Sequence, residues 1–215
     1  MNKQIVIIGA SGHGKVIADI AHKNGYTDIV FLDDNRSVNE CNGYSVVGTS
    51  EQFDNYRDGV FIVAIGNPKT RQKTQQTLGK AGMRIATLVH PNAVIGENVI
   101  LGEGTVVMAG AVINSCSKVG SGSIINTCAS VDHDCCVGDY VHVSVGAHVA
   151  GSVTIGERTW IGAGATVSNN IDITGDCMIG AGAVVIHNLT DSGTYIGLPA
   201  RRVEMLSKSK EKTDE

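Results

Sequence analysis

Val89, Ile95, Leu101, Val107, Ile113, Val119, Ile125, Val131, Val137, Val143, Val149, Ile155, Ile161, Val167, Ile173, Ile179 and Val185 stand six apart, with no polar residue among them. Four places after each comes a mostly small residue, including Val99, Thr105, Ala111, Ser117, Ser123, Ala129, Ala147, Thr159, Ala165 and Ala183. Glycine often follows the aliphatic residue directly, as in Ile95-Gly96, Leu101-Gly102, Val137-Gly138 and Ile179-Gly180. A strict period of six is neither the helical repeat nor the two-residue alternation of an ordinary strand. It is the mark of a solenoid of short strands, the hexapeptide β-helix. Three hexads make one triangular coil of about 18 residues, with each aliphatic side chain stacked on its counterpart one coil away and glycine easing the corners. The phase is unbroken from Val89 to Val185, so no long loop leaves the column to build a pocket. A bare column has little concavity, and a binding site needs a second body to complete it.

The chain before the column reads differently. Ile5 to Ile8 is an apolar run ending in Gly9-Ala10-Ser11-Gly12-His13-Gly14, and Val16, Ile17, Ile20 and Ala21 follow at helical spacing. This is strand, glycine turn, helix. Such a turn, with Gly12, His13 and Gly14 at the helix start, lets backbone N–H groups face a phosphate. A second strand, Ile29 to Leu32, ends in Asp33-Asp34 at the distance where a carboxylate holds ribose or base. Val46-Val47-Gly48 reads as a small strand, and Thr49 with Gln52 as a capping box. Val60 to Ile65 is apolar throughout, as expected of a central parallel strand. It runs into Gly66-Asn67-Pro68, where Asn67 caps and Pro68 starts a helix reaching about Lys80, with Gly82 ending it. Arg84 to Leu88 reads as a further strand. The fold expected is therefore an α/β Rossmann-like unit over residues 1–85, an all-β column of hexapeptide repeats over 86–205 with an extended closing segment, and a disordered charged tail over 206–215.

Composition narrows the function classes. The 215 residues are 42% hydrophobic and 18% charged, with a net charge of -4. No apolar run is long enough to span a bilayer, so no membrane partner is expected. No basic stripe with interleaved aromatics appears, so no nucleic-acid partner is expected either. Cys41, Cys116, Cys128, Cys135, Cys136 and Cys177 form no CxxC pair, and several fill small-residue slots, where cysteine acts as a compact hydrophobe. The N-terminus lacks a charged-then-apolar leader, which points to the reducing cytoplasm.

Titratable residues on the column stand out against this background. Asp132-His133-Asp134 sets an imidazole between carboxylates near a corner, two places after inward Val131. A carboxylate fixes the ring's tautomer and stabilises the imidazolium, which is the arrangement of a general base. One coil on from His133 stands Gly151, whose missing side chain is expected to leave room for a substrate. His142 and His148 follow, at other phases of the coil. Zinc needs three converging ligands, and these histidines do not share a phase, so no metal is expected. Cys135 falls in a core slot, which argues against a thiolate nucleophile.

Gly9 to Gly14, Phe31-Leu32-Asp33-Asp34, Ile65-Gly66-Asn67, Val89-His90-Pro91, Asp132 to Cys135 and Gly197-Leu198-Pro199-Ala200-Arg201 together resemble the bacterial sugar O- and N-acyltransferases, in order and over nearly the whole chain. The resemblance implies a homotrimer of left-handed parallel β-helices, with acetyl-CoA lying between neighbouring columns and a nucleotide-linked amino sugar held by the N-terminal unit. By position it makes His133 the base and Asp134 its orienting acid, although some family members carry glutamate there. It places His142 near the thioester, and has His13 reach the sugar from the glycine turn, with Asp33, Asp34, Gly66 and Asn67 on the nucleotide. Gly151, Ala163, Gly197, Pro199, Ala200 and Arg201 fall along the CoA path. The reaction implied is N-acetylation of a UDP-linked 4-amino-4,6-dideoxy sugar, with O-acetylation of sialic acid or another polysaccharide precursor as the runner-up. A metalloenzyme of the γ-carbonic anhydrase kind has no use for a nucleotide unit. A nucleotide-sugar-binding scaffold would tolerate loss of His133.

Overall fold

The computed structural model describes residues 3–203; the tail expected from 206 lies outside the described residues. Strands β1 (Gln4–Ile8), β2 (Asp28–Leu32), β5 (Val60–Val63) and β6 (Arg84–Ile85) form a parallel sheet in the order β2-β1-β5-β6. Helix α1 (Gly12–Lys23) and helix α2 (Pro68–Lys80) make two of its crossovers, and a hairpin of β3 (Glu40–Cys41) and β4 (Tyr44–Ser45) follows β2. Both faces of β1 are covered. Ile5 and Ile7 pack with Ile17, Ile20 and Ala21 of α1, whereas Val6 and Ile8 pack with Leu78 of α2. That two-sided burial is why the strand reads as an unbroken apolar run. Asn67 accepts the Thr70 N–H and Pro68 opens α2, as the residue types require. Thr49 and Gln52 form the capping box, but the segment they open is a 3-10 helix, Ser50–Tyr56.

The column has three faces. Face one starts at Leu88–Val89 and recurs at Val106–Val107, Ile124–Ile125, His142–Val143, Trp160–Ile161 and Cys177–Ile179. Face two runs from Val94–Ile95 through Ser130–Val131 to Val184–Val185, and face three from Ile100–Leu101 through Cys136–Val137 to Asp172–Ile173. Every lateral pair is parallel, and the offset is one 18-residue coil, as between Val107 and Ile125. From Val107 onward the hexad residues are buried in one continuous core. Ile95 is 37% exposed, because the first coil has a neighbour on one side only.

Three details depart from the sequence reading. The strand expected over Arg84 to Leu88 is divided: the Ala86 N–H bonds to Phe61 of the sheet, while the Leu88 N–H bonds to Thr105 of the column. The glycines after the hexad residues are not the corner residues in left-handed conformation. A Cβ on Gly102 would lie 2.4 Å from the Ser121 nitrogen, so these glycines are there because successive coils touch. The left-handed corner positions are taken by other residues, among them Asn98, Cys116, Asp134 and Ser152. Lastly, the column does not end in a single extended segment. Leu189 continues face three by bridging Ile173, and Gly193–Ile196 then turns back antiparallel onto Arg201–Arg202 through a cis Leu198–Pro199 peptide.

The N-terminal unit sits on face one. Leu88, Val106, Met108 and Ile124 belong to the same buried cluster as α1, so one apolar core spans the junction. The first coils of face one are thereby covered, whereas Met178 farther along that face is 43% exposed, and the corner between faces two and three points the opposite way.

Candidate active site

Around the C-terminal ends of β1, β2 and β5 the N-terminal sheet opens into a cavity of about 260 Å³, lined by Gly9, Ser11, Asp33, Asp34, Gly66 and Thr70 among others. This is the carboxyl-end crevice where open parallel sheets bind ligands. Glycines bring the backbone close: a Cβ on Gly14 would lie 2.2 Å from the Gly9 carbonyl oxygen, and Gly12 has nothing near it. Asp33 and Asp34 hold the rim. Asp33 accepts the N–H groups of Ala10 (2.6 Å) and Asn35 (2.8 Å), and Asp34 accepts that of Ser50 (2.8 Å). A second cavity of about 460 Å³, lined by Arg36, Asn39, Thr49 and Gln52 among others, shares Asp33 with it.

Deeper in, where α1 meets face one, His13 lies close enough to His142 to bear on its charge. Burial, with Arg71 as the second cause, pushes His13 down to about 4 and His142 down to about 3, so both rings are neutral at physiological pH. The tautomer of His142 follows from its neighbours. Asn126 uses its side-chain oxygen to accept the Thr127 N–H (2.7 Å), which turns its amide nitrogen toward His142 Nε2 (3.0 Å). Nε2 is therefore the acceptor and Nδ1 carries the proton. His142 Nδ1 and His13 Nε2 are buried and have no hydrogen-bond partner among the described residues, and Ser144 Oγ shares that state. Buried nitrogens left unpaired in this way call for a ligand. Trp160 holds the ring: its centroid is 4.2 Å from that of His142, and a Cβ on Gly66 would lie 3.9 Å from its far edge.

His133 stands elsewhere. At the corner between faces two and three its Nδ1 donates to Asp134 (2.8 Å), which leaves Nε2 as the free acceptor. The left-handed backbone of Asp134, φ +59°, turns its carboxylate back onto the ring, so aspartate reaches without the extra methylene of glutamate. Asp132 accepts the His133 N–H and the Asn114 amide (2.7 Å). The bond to Asp134, then the charge of Asp132, raises the ring above the ordinary histidine value. The room over Gly151 is filled by the ring itself: a Cβ there would meet His133 Nε2 at 2.6 Å. A cavity of about 260 Å³ lies on face two, lined by Asn114, Ser130, Asp132, His148, Ala150 and Thr166 among others. Cys135 is buried with its thiol on the Ala150 carbonyl, and burial raises its pKa, which disfavours the thiolate.

The residues placed on the CoA path fall on two corners. Gly151 lies against His133. Ala163 and the turn Gly197, Pro199, Ala200 and Arg201 follow the corner between faces one and two, where the Ala200 N–H bonds to Val184 (2.8 Å). Within one chain, then, His13, Gly66 and His142 come together, His133, Asp134 and Gly151 come together, and the column separates the two groups. No group of three or more metal-ligating side chains is present among the described residues. Nor is any helix among them long and apolar enough to cross a membrane. Asn126, Trp160 and Arg71 were not singled out from the sequence. The first two were within reach, since Trp160 is the sole tryptophan and stands one coil beyond His142. Nothing in the sequence marks an arginine that is satisfied by backbone carbonyls.

Comparison with known proteins adds to this geometry. Residues 4–78 match the PglD N-terminal domain. The chain is 30% identical over 154 residues to the GDP-perosamine N-acetyltransferase of Escherichia coli O157:H7, covering 68% of this chain and 70% of that protein. It is 35% identical over 112 residues to the UDP-N-acetylbacillosamine N-acetyltransferase of Bacillus subtilis (strain 168), covering 50% of this chain and about half, 52%, of that protein. Among solved structures, the acetyltransferase domain of PglB from Neisseria gonorrhoeae FA1090 in complex with acetyl coenzyme A superposes with a TM-score of 0.91 at 38% identity, covering 94% of this chain and 100% of that one.

Proposed function

The chain belongs to the hexapeptide-repeat sugar acyltransferases that carry a PglD N-terminal domain, and from that membership we propose its substrate and the residues that act on it. It is an acetyl-CoA-dependent N-acetyltransferase of nucleotide-linked amino sugars. The sugar is a 4-amino-4,6-dideoxy sugar carried on UDP, of the bacillosamine type, which the higher identity to the Bacillus subtilis enzyme supports. A GDP carrier is the second reading, favoured by the longer match to the perosamine enzyme. Residues 1–85 hold the nucleotide sugar and 86–205 carry the transfer.

The observation that carries this reading is the pair of buried, unpartnered nitrogens, His13 Nε2 and His142 Nδ1, beside the nucleotide cavity. His13 accepts from or orients the sugar. His142, neutral and protonated on Nδ1, donates to the thioester carbonyl oxygen as negative charge develops there. His133 Nε2 takes a proton from the attacking amine, whose nitrogen bonds to the acetyl carbon as the C–S bond breaks and the CoA thiolate leaves. Asp134 keeps the proton of His133 on Nδ1. Gly151, Ala163 and the turn from Gly197 to Arg201 line the path of the CoA arm.

Because His133 and His142 lie on separated parts of one column, a complete site forms when the His133 corner of one chain meets the covered face and adjoining corner of the next. Such a contact is head-to-tail, and repeated around an axis it closes into a ring. Three columns in a homotrimer satisfy it.

The test is thiol release from acetyl-CoA against UDP-, GDP- and dTDP-linked 4-amino sugars and free or CMP-linked sialic acid. Turnover confined to a UDP-linked amino sugar supports the reading. Turnover with the GDP-linked sugar alone moves the carrier, and turnover with sialic acid alone moves the reaction to O-acetylation. Silence across the panel would sink the enzymatic assignment.

A further inference from the structure

Arg71 is 1% exposed, and no carboxylate lies within ion-pair distance of it among the described residues. Its guanidinium is spent on backbone carbonyls. Nη1 donates to Ile65 (2.8 Å) and Gly66 (2.7 Å), Nη2 to Tyr140 (2.7 Å) and Nε to Gly122 (2.6 Å). Two of these carbonyls belong to the turn after β5, which lines the nucleotide cavity and lies near the edge of Trp160. The other two belong to successive coils of the column, and Tyr140 is two residues before His142. The planar fork of arginine reaches both bodies at once, whereas lysine presents a single point of donors.

Docking alone does not call for this arrangement. The junction already has an apolar core under α1, and α2 is tied to the same corner by Gln75 to the Glu103 carbonyl (2.9 Å) and by Arg158 to Gln72 (3.4 Å). A buried unpaired cation adds a desolvation penalty that an apolar side chain of similar volume avoids. What the guanidinium adds is a fixed relation between two particular turns. Resting on the acetyltransfer reading above, we propose that Arg71 is a positioning residue: it holds the turn Ile65–Gly66 and the turn leading into His142 in one frame, setting the sugar amine against the thioester. Its charge, which stays on because burial lowers its pKa only to about 10, also helps to keep His13 and His142 neutral.

Arg71→Met and Arg71→Lys in the full chain test this. Free nucleotide keeps the Gly9–Gly14 turn, Asp33 and Asp34 when the Ile65–Gly66 turn loosens, so its Kd by calorimetry weakens far less than kcat, by about threefold at most. In Arg71→Met kcat drops about 100-fold, the scale of a misplacement near 1 Å. Arg71→Lys, with the cation but without the fork, falls between the two. Hydrogen exchange quickens at the amides of both 65–67 and 140–142. A kcat within threefold of wild type, or nucleotide affinity lost in parallel with kcat, overturns the proposal. Should Arg71→Met not fold, Arg71→Lys is read by the same criteria. Absence of turnover in wild type removes the functional reading instead. Exchange then still decides the clamp, since a change at one turn only, or at neither, refutes it.

Discussion

At the scale of single residues the proposed chemistry rests on which nitrogen carries a proton. His133 donates through Nδ1 to Asp134, and its raised pKa has that bond as its largest cause. A base must be unprotonated to act, so with His133 in the proposed role the acid limb of kcat/KM should lie above the ordinary histidine value. Asp134→Asn removes the main cause of the shift, the pKa falls back, and the limb moves to lower pH. Turnover drops by about 10²–10⁴ as the tautomer is lost. A pH series of thiol release checks this, and a limb that does not move would remove His133 as the titrating base. Gly151→Ala makes a narrower test. The backbone of Gly151 is not left-handed, so alanine fits the chain, yet its Cβ would sit 2.6 Å from His133 Nε2. The ring has to swing aside. The variant is expected to melt within a few degrees of wild type while kcat falls about tenfold or more; equal activity would mean that the ring position is not critical.

At the scale of elements the coil is the unit, and its position in the stack sets what each hexad residue contributes. Ile155 is 1% exposed with a coil on either side, whereas Ile95 is 37% exposed at the open end. Ile155→Ala should therefore destabilise by about 2–5 kcal/mol, as buried large-to-small substitutions do. Ile95→Ala should cost well under half as much, and denaturant titration of both variants gives the comparison. Near-equal losses would show that the stack does not behave as a column of nearest-neighbour contacts. The hexad residues were legible one by one, because a period of six leaves no other role for them. The corners were less so. Asp134 could be named from the sequence, but its reach to His133 depends on a left-handed φ that many residue types adopt on this column.

At the scale of the whole molecule the N-terminal unit covers the first coils of face one, and the opposite corner carries His133. If the working site joins the His133 corner of one chain to the His13 and His142 pocket of another, two dead variants should complement each other. His133→Ala and His13→Ala, each inactive alone, should regain roughly a quarter of the wild-type rate when co-expressed, the random-mixing fraction for head-to-tail sites. Mass measurement by light scattering reports the ring size in the same samples. Mixed oligomers with no regained activity would place both histidines in a site within one chain.

The column, its 18-residue coil and the strand–turn–helix of the N-terminal unit could be read from residue order alone, as could the Asp132-His133-Asp134 cluster near a corner of the column. Each of these is a local or strictly periodic pattern, and such patterns survive in one dimension. The folded chain alone shows which face of the column meets the N-terminal unit, that Asp134 holds the His133 ring, that His142 is buried against Trp160 with its proton on Nδ1, and that Arg71 joins the turn after β5 to two successive coils through four carbonyls. The reason is that backbone carbonyls carry no residue identity. A side chain satisfied by them leaves no partner in the sequence to be found, and where two bodies meet is set by the shape and apolar area of both together.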